Sequence, residues 1–184
     1  MTDLHELAKL GSVELDEILD CGDISKSALM CSQQDKHSRT PLHLAAYYGR
    51  SEAVQTLLKY KADAESTALD GFTALHFACQ NGHLSVVKLL LDAKANINRC
   101  LNKSKKTPLH IACSKEHDDI IEFLIKKRAN TELRTRQEQL ACDLIASETL
   151  RQKYDASVAQ ISGHKRKPSD AFDDDTGDQR NNSQ

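Results

Sequence analysis

Three stretches of the chain can be laid one under another: "TPLHLAAYYGRSEAVQTLLKYKAD", "TALHFACQNGHLSVVKLLLDAKAN" and "TPLHIACSKEHDDIIEFLIKKRAN", beginning at Thr40, Thr73 and Thr107. Each places a histidine, His43, His76 or His110, three residues after its threonine. A catalytic group is needed once, and a set of metal ligands must converge on a point. Side chains that return at this period are instead translated along a row of stacked units. The three histidines are therefore framework residues. A chain carrying them is expected to build a linear scaffold rather than a globule around one sheet.

The residues around each histidine predict a pair of helices. Thr40, Thr73 and Thr107 stand where a side-chain oxygen can cap a helix N-terminus. Pro41 and Pro108 follow at the first helical position, where a missing N–H costs nothing. Leu42, Leu44 and Ala45 then supply an apolar face, and Ala45, Ala78 and Ala112 keep it thin enough for neighbouring units to approach. After a turn ("YYGR", "QNGH", "SKEH") a second helix carries Val54, Leu57 and Leu58, matched by Val87, Leu90 and Leu91 and by Ile121, Leu124 and Ile125. Their i, i+3, i+4 spacing makes one apolar stripe. Aromatic residues are 4% of the chain and Trp is absent, so the core must be made of small aliphatic side chains.

The motif, its register and its period resemble the ankyrin repeat, strongly over residues 35–134 and weakly over 1–34 and 135–150. The resemblance implies an all-α solenoid of stacked helix-turn-helix repeats with β-hairpin or turn fingers between them. After about residue 155 the periodicity stops, and the polar, biased sequence without a repeated apolar face is expected to be a disordered C-terminal tail. The expected divisions are a degenerate N-terminal capping repeat (1–34), repeats at 35–67, 68–101 and 102–134, a partial C-terminal capping repeat (135–155) and a tail (156–184). Residues 4–19 read as two short helices broken at Gly11, and "LACDLIA" has Asp143 where histidine is expected. The resemblance also implies that each histidine bonds back to its threonine and to the next repeat's backbone. Two departures stand out. Glu116 replaces the glycine found at Gly49 and Gly82. Lys61, Lys94 and Arg128 replace the glycine expected after each second helix, either as cations suiting a helix C-terminus or as a basic ladder for an acidic ligand.

Chemistry beyond binding finds no support. The six cysteines (21, 31, 79, 100, 113 and 142) form no C-x-x-C pair and are expected to be reduced thiols, with Cys79 and Cys113 in the small buried slot that Ala46 fills. His83 and His117 are periodic with Arg50, and no spacing suits zinc. There is no phosphate-binding loop, no G-x-S-x-G and no H-E-x-x-H, so no enzyme activity, cofactor, metal or small-molecule substrate is expected. The first twenty residues carry acids throughout and no apolar run, so neither a signal nor a spanning segment is expected there, and the formal charge of −2 gives no global pull toward nucleic acid.

In the family resembled, finger tips and first-helix ends form a concave binding face. That maps here to Arg39, Tyr47, Tyr48, Leu69, Phe72, Gln80, Asn81, Lys103, Lys106, Ser114, Lys115 and Arg136. Tyr47, Tyr48 and Phe72 are the expected anchors, unless Tyr47 or Tyr48 folds against the next repeat. Cations gather toward the C-terminal fingers in "NKSKK" (102–106) and "RTR" (134–136), which suits an acidic protein segment; nucleic acid is the competing reading, disfavoured by the near-neutral chain and the few aromatics interleaved among the cations. Asn98 matches a position hydroxylated in some family members. In the tail, Lys165, Arg166 and Lys167 read either as a nuclear-import cluster or as a solvated charge run, and a phosphate on Ser169 would add negative charge beside them. The expectation is a monomeric, cytoplasmic or nuclear adaptor, inhibitor or assembly factor. The alternative is an accessory subunit of a transcription, chromatin or proteasome-type complex that uses the tail as a second contact.

Overall fold

The computed structural model describes residues 4–11, 14–20 and 24–162, and every regular element among them is helical. The N-terminal unit holds α1 (Leu4–Leu10), α2 (Glu14–Leu19) and α3 (Ile24–Cys31). Three helix pairs follow: α4 (Pro41–Tyr47) with α5 (Ser51–Lys59), α6 (Ala74–Asn81) with α7 (Leu84–Asp92), and α8 (Pro108–Ser114) with α9 (Asp118–Lys126). A 3₁₀ turn (Ala141–Leu144) and α10 (Glu148–Ser162) close the row. Inner elements stack in the order α1, α4, α6, α8 and the 3₁₀ turn, while α5, α7, α9 and α10 form the outer layer.

The stack is held first by thinness. Ala45, Ala78 and Ala112 are fully buried between neighbouring inner helices, and Cys79 and Cys113 are buried beside them. Outer helices contribute Val54 and Leu57, Val86, Val87 and Leu90, and Ile120, Ile121 and Leu124, none more than 2% exposed. Each buried side chain of this size is worth about 1.5–3 kcal/mol against exposure. Burial pushes the Cys31 thiol up to about 11 and raises Cys79, Cys113 and Cys142 as well, so these sulfurs behave as packing atoms.

Hydrogen bonds then fix the register between units. The backbone N–H of Thr40, Thr73 and Thr107 donates to Nδ1 of His43, His76 and His110 at 3.0, 3.2 and 3.3 Å. Each threonine hydroxyl lies 2.7–2.9 Å from the same nitrogen. With Nδ1 accepting, the proton sits on Nε2, which donates onward to Ser66 O and Phe72 O, to Arg99 O, and to Gln139 O. A second row runs along the starts of the outer helices. Arg50 Nε donates to Lys9 O, His83 Nε2 to Tyr47 O and His117 Nε2 to Gln80 O. Gly49 belongs to this row, with φ +70 and a position where an added Cβ would meet the His83 ring at 2.5 Å.

Four features differ from or extend the sequence reading. The fingers fold as turns, not hairpin strands among the described residues. Each closes on itself (Asp35 N–H to Arg39 O, Ala68 to Phe72, Leu101 to Lys106, Thr135 to Gln139) and gives one bond to its neighbour (Leu69 to His37, Asn102 to Asp70, Arg136 to Ser104), too few for a ladder. The N-terminal unit has a third helix, α3. At the other end α10 continues to Ser162, past the boundary at residue 155, because Leu150, Tyr154, Val158 and Ile161 prolong its buried stripe. Residues 163–184, including Lys165, Arg166, Lys167 and Ser169, lie outside the described residues. Finally, Lys61, Lys94 and Arg128 all adopt left-handed φ of 62–67 and stand exposed, on the side of the loops after the outer helices. Asn98 lies in the same loops, its Oδ1 accepting from the Asn130 N–H at 2.8 Å.

Candidate functional site

The inner helices and fingers present one continuous surface, which begins with aromatics. Tyr47 and Tyr48, at the end of α4, remain 39% and 41% exposed. Their rings meet at 5.0 Å, and Tyr47 also packs on Phe77 of the next unit at 5.9 Å. Tyr47 thus packs against the next repeat and still faces solvent. Phe77 in turn stacks on Phe72 at 5.2 Å, and Phe72 packs edge-on against His76. Pairs of this kind are worth about 0.5–1.5 kcal/mol beyond burial, so the row is preformed.

Beyond Phe72 the surface opens into a cavity of about 350 Å³ between the second and third fingers. Phe72, Leu101 and Ile111 make its floor, and Asp70, Gln80, Lys103, Ser104, Lys106, Ser114 and Lys115 its walls. Six of the residues expected from sequence, Phe72, Gln80, Lys103, Lys106, Ser114 and Lys115, are brought together here. Lys103 is held by Asp70 at 2.6 Å. Lys106 and Lys115 have no carboxylate within 4 Å among the described residues, and they give the rim its positive charge. A second depression of about 310 Å³ continues from Lys103 and Lys106 to Thr135, Arg136 and Gln137.

Other expected residues fall elsewhere. Arg39 is committed to its own finger, with Nε and Nη2 on Asp35 Oδ2 at 2.8 and 2.7 Å. Burial alone would raise the Asp35 carboxyl, but bonds from the Arg39 side chain and from the Arg39 and His37 N–H groups outweigh it and hold it at about 2. Leu69 stands 56% exposed on the second finger, and Asn81 caps α6 by donating to Phe77 O.

Sequence reasoning missed Phe77, Leu101 and Ile111. Phe77 and Ile111 follow the motif histidine, as Leu44 does, and read as ordinary core positions. Only the size of Phe77 against Leu and Ile at that position signals it. Leu101 sits in a finger, where no periodicity marks it.

Chemically the surface offers apolar stacking area and lysine ammonium groups. The buried imidazoles do not join it. Burial pushes His43 and His76 down to about 4, and His110 also below its ordinary value, while both ring nitrogens of each are engaged in the framework bonds. No helix among the described residues is long and apolar enough to cross a membrane.

Comparison with known proteins agrees with this geometry. Family models described as ankyrin repeats match residues 60–135 (three copies) and 29–70 (many copies). An ankyrin repeat-containing protein of Arabidopsis thaliana is 33% identical over 109 residues, 58% of this chain and 21% of that protein. An ankyrin repeat protein of fowlpox virus is 31% identical over 87 residues, covering 47% and 13%. The human transient receptor potential cation channel subfamily A member 1 is 39% identical over 89 residues, covering 48% and 8%. The matched regions are thus between 8% and 21% of the length of these relatives.

Proposed function

Since this chain belongs to the ankyrin-repeat family, whose repeats generally mediate protein–protein interaction, we propose that it is a non-enzymatic binding module that captures a protein segment along its finger and inner-helix surface. The observation that carries this reading is the passage from an aromatic row (Tyr48, Tyr47, Phe77, Phe72) into a cavity with an apolar floor and a lysine rim. Such a surface suits an extended or helical segment with an apolar anchor and acidic flanks. Aromatic area supplies most of the affinity, because buried aromatic anchors dominate interface energetics. The exposed cations supply encounter rate and orientation. That a viral protein, a plant protein and an ion channel match this chain over 8–21% of their own length favours a scaffold role over any one of their activities. Monomeric state, a cytoplasmic or nuclear site of action and work as an adaptor, inhibitor or assembly factor belong to the same proposal.

The test begins with affinity purification and mass spectrometry to identify the partner, followed by titration. Tyr48→Ala and Lys106→Glu are expected to weaken binding, the aromatic truncation by about 2 kcal/mol, or roughly thirtyfold. The charge reversal should act mainly on the association rate and its salt dependence. A partner bound equally well by both variants would place the interface on another face.

A further inference from the structure

The cavity between the second and third fingers asks for an aromatic or aliphatic side chain on Phe72, Leu101 and Ile111, with carboxylates beside it for Lys106 and Lys115. The chain itself contains such a segment. Of its four phenylalanines, Phe72, Phe77 and Phe123 belong to the repeats. The fourth, Phe172, stands in Asp170-Ala171-Phe172-Asp173-Asp174-Asp175, flanked by four carboxylates. We propose that residues 170–175 dock in this cavity, Phe172 on its floor and the aspartates against its lysine rim, so that the chain covers its own groove until a partner displaces it. The proposal rests on reading the groove as the partner site.

Reach permits it. α10 ends at Ser162, and Ile161 lies by Arg128, Ala129 and Thr131, the stretch that leads into the fourth finger. The last helix therefore ends beside the loop that leads from α9 toward the fourth finger. Ten residues to Phe172 span at most about 33–36 Å. The path crosses one helix pair and up to two units of the stack, and at 8–10 Å per helix spacing that is roughly 24–30 Å. Lys165, Arg166 and Lys167 stand five or more residues before Phe172 in sequence. Weak intrinsic affinity suffices, because a short tether gives an effective concentration on the order of millimolar. A site of millimolar dissociation constant would then be about half occupied.

The experiment uses the full chain with isotope-labelled leucine and isoleucine methyl groups, followed by nuclear magnetic resonance. The Leu101 and Ile111 signals are expected to shift between the wild-type chain and Phe172→Ala. A synthetic peptide of residues 168–176 added to that variant should restore the wild-type positions at millimolar concentration. Lys106→Glu with Lys115→Glu should abolish the restoration. Spectra of wild type and Phe172→Ala that coincide at both residues would overturn the proposal. Shifts that vanish on hundredfold dilution would overturn docking within one chain in favour of a second copy. Two readings remain separable. If Lys106→Glu loses the partner while the spectra coincide, the groove stands and the self-docking falls. If the spectra differ while Tyr48→Ala and Lys106→Glu bind the partner undiminished, the self-docking stands and the partner lies elsewhere.

Discussion

His43, His76 and His110 each do what only a neutral imidazole can do, accepting on one nitrogen from its own unit and donating with the other to the next. Protonating Nδ1 would set two donors against each other, and burial already penalises the cation. Above pH 6.5 folded and unfolded chains are both deprotonated at these sites, and the network is intact. As pH falls, the unfolded chain takes up protons from about 6.5, whereas His43 and His76 in the folded chain refuse them until about 4. Stability is therefore expected to decline across that window, approaching 1.4 kcal/mol per pH unit for each of the two at its steepest. Urea unfolding followed by circular dichroism at pH 7, 5.5 and 4.5 checks this, and equal midpoints at all three would contradict it. Asp35, held at about 2, adds its own loss only below the ordinary carboxylate range, outside this window.

At the level of the element, the end of the row shows how a repeat is turned into a cap. Asp143 Oδ2 accepts from the Leu140 N–H at 2.9 Å, the inward half of the histidine's task. Its other oxygen, Oδ1, faces Arg151 Nη2 of α10 at 3.6 Å instead. Glu116 is the second adaptation. Its φ of 55 confirms the left-handed backbone that made glycine the expected residue, at a cost of about 1 kcal/mol. In return its Oε1 accepts from the Ala146 and Ser147 N–H groups at 3.0 and 2.8 Å, just ahead of α10. Bonds to a charged acceptor are worth about 1.5–3 kcal/mol each, and these two, open to solvent, about 1–2 kcal/mol each. Glu116→Gly is thus expected to destabilise the chain by roughly 1–3 kcal/mol despite relieving the backbone, with faster amide exchange concentrated in residues 148–162. Stabilisation by this variant would mean that the cap carries no weight.

Over the whole molecule, stability is the sum of units and of the contacts between neighbours. Leu90, fully buried in the central outer helix, touches this scheme at its middle. Leu90→Ala is expected to cost about 2–5 kcal/mol, read as a lower urea midpoint, and a loss under 1 kcal/mol would show that the layer can collapse around the gap. The repeated period made most of this architecture legible in advance. The thin inner helices, the buried outer stripe and the histidine framework follow from residues that recur, and recurrence needs no coordinates to be seen. The site was legible in part. Six lining residues of the cavity, three of them lysines, were legible as positions that the family resemblance marks one by one. Its floor was not, because Leu101 and Ile111 look like any other aliphatic residue.

What the amino-acid order determined by itself was the repeating unit, its helices and the direction of stacking, since each depends on side chains within one period or its neighbour. The tertiary structure alone decided where the row ends and what its surface offers. Glu116 trades backbone strain for a cap on a helix thirty residues away in sequence, and Phe72, Leu101 and Ile111 share one floor because two fingers and an inner helix meet there. Both depend on contacts between segments that no local pattern relates, and such contacts exist only once the units have docked.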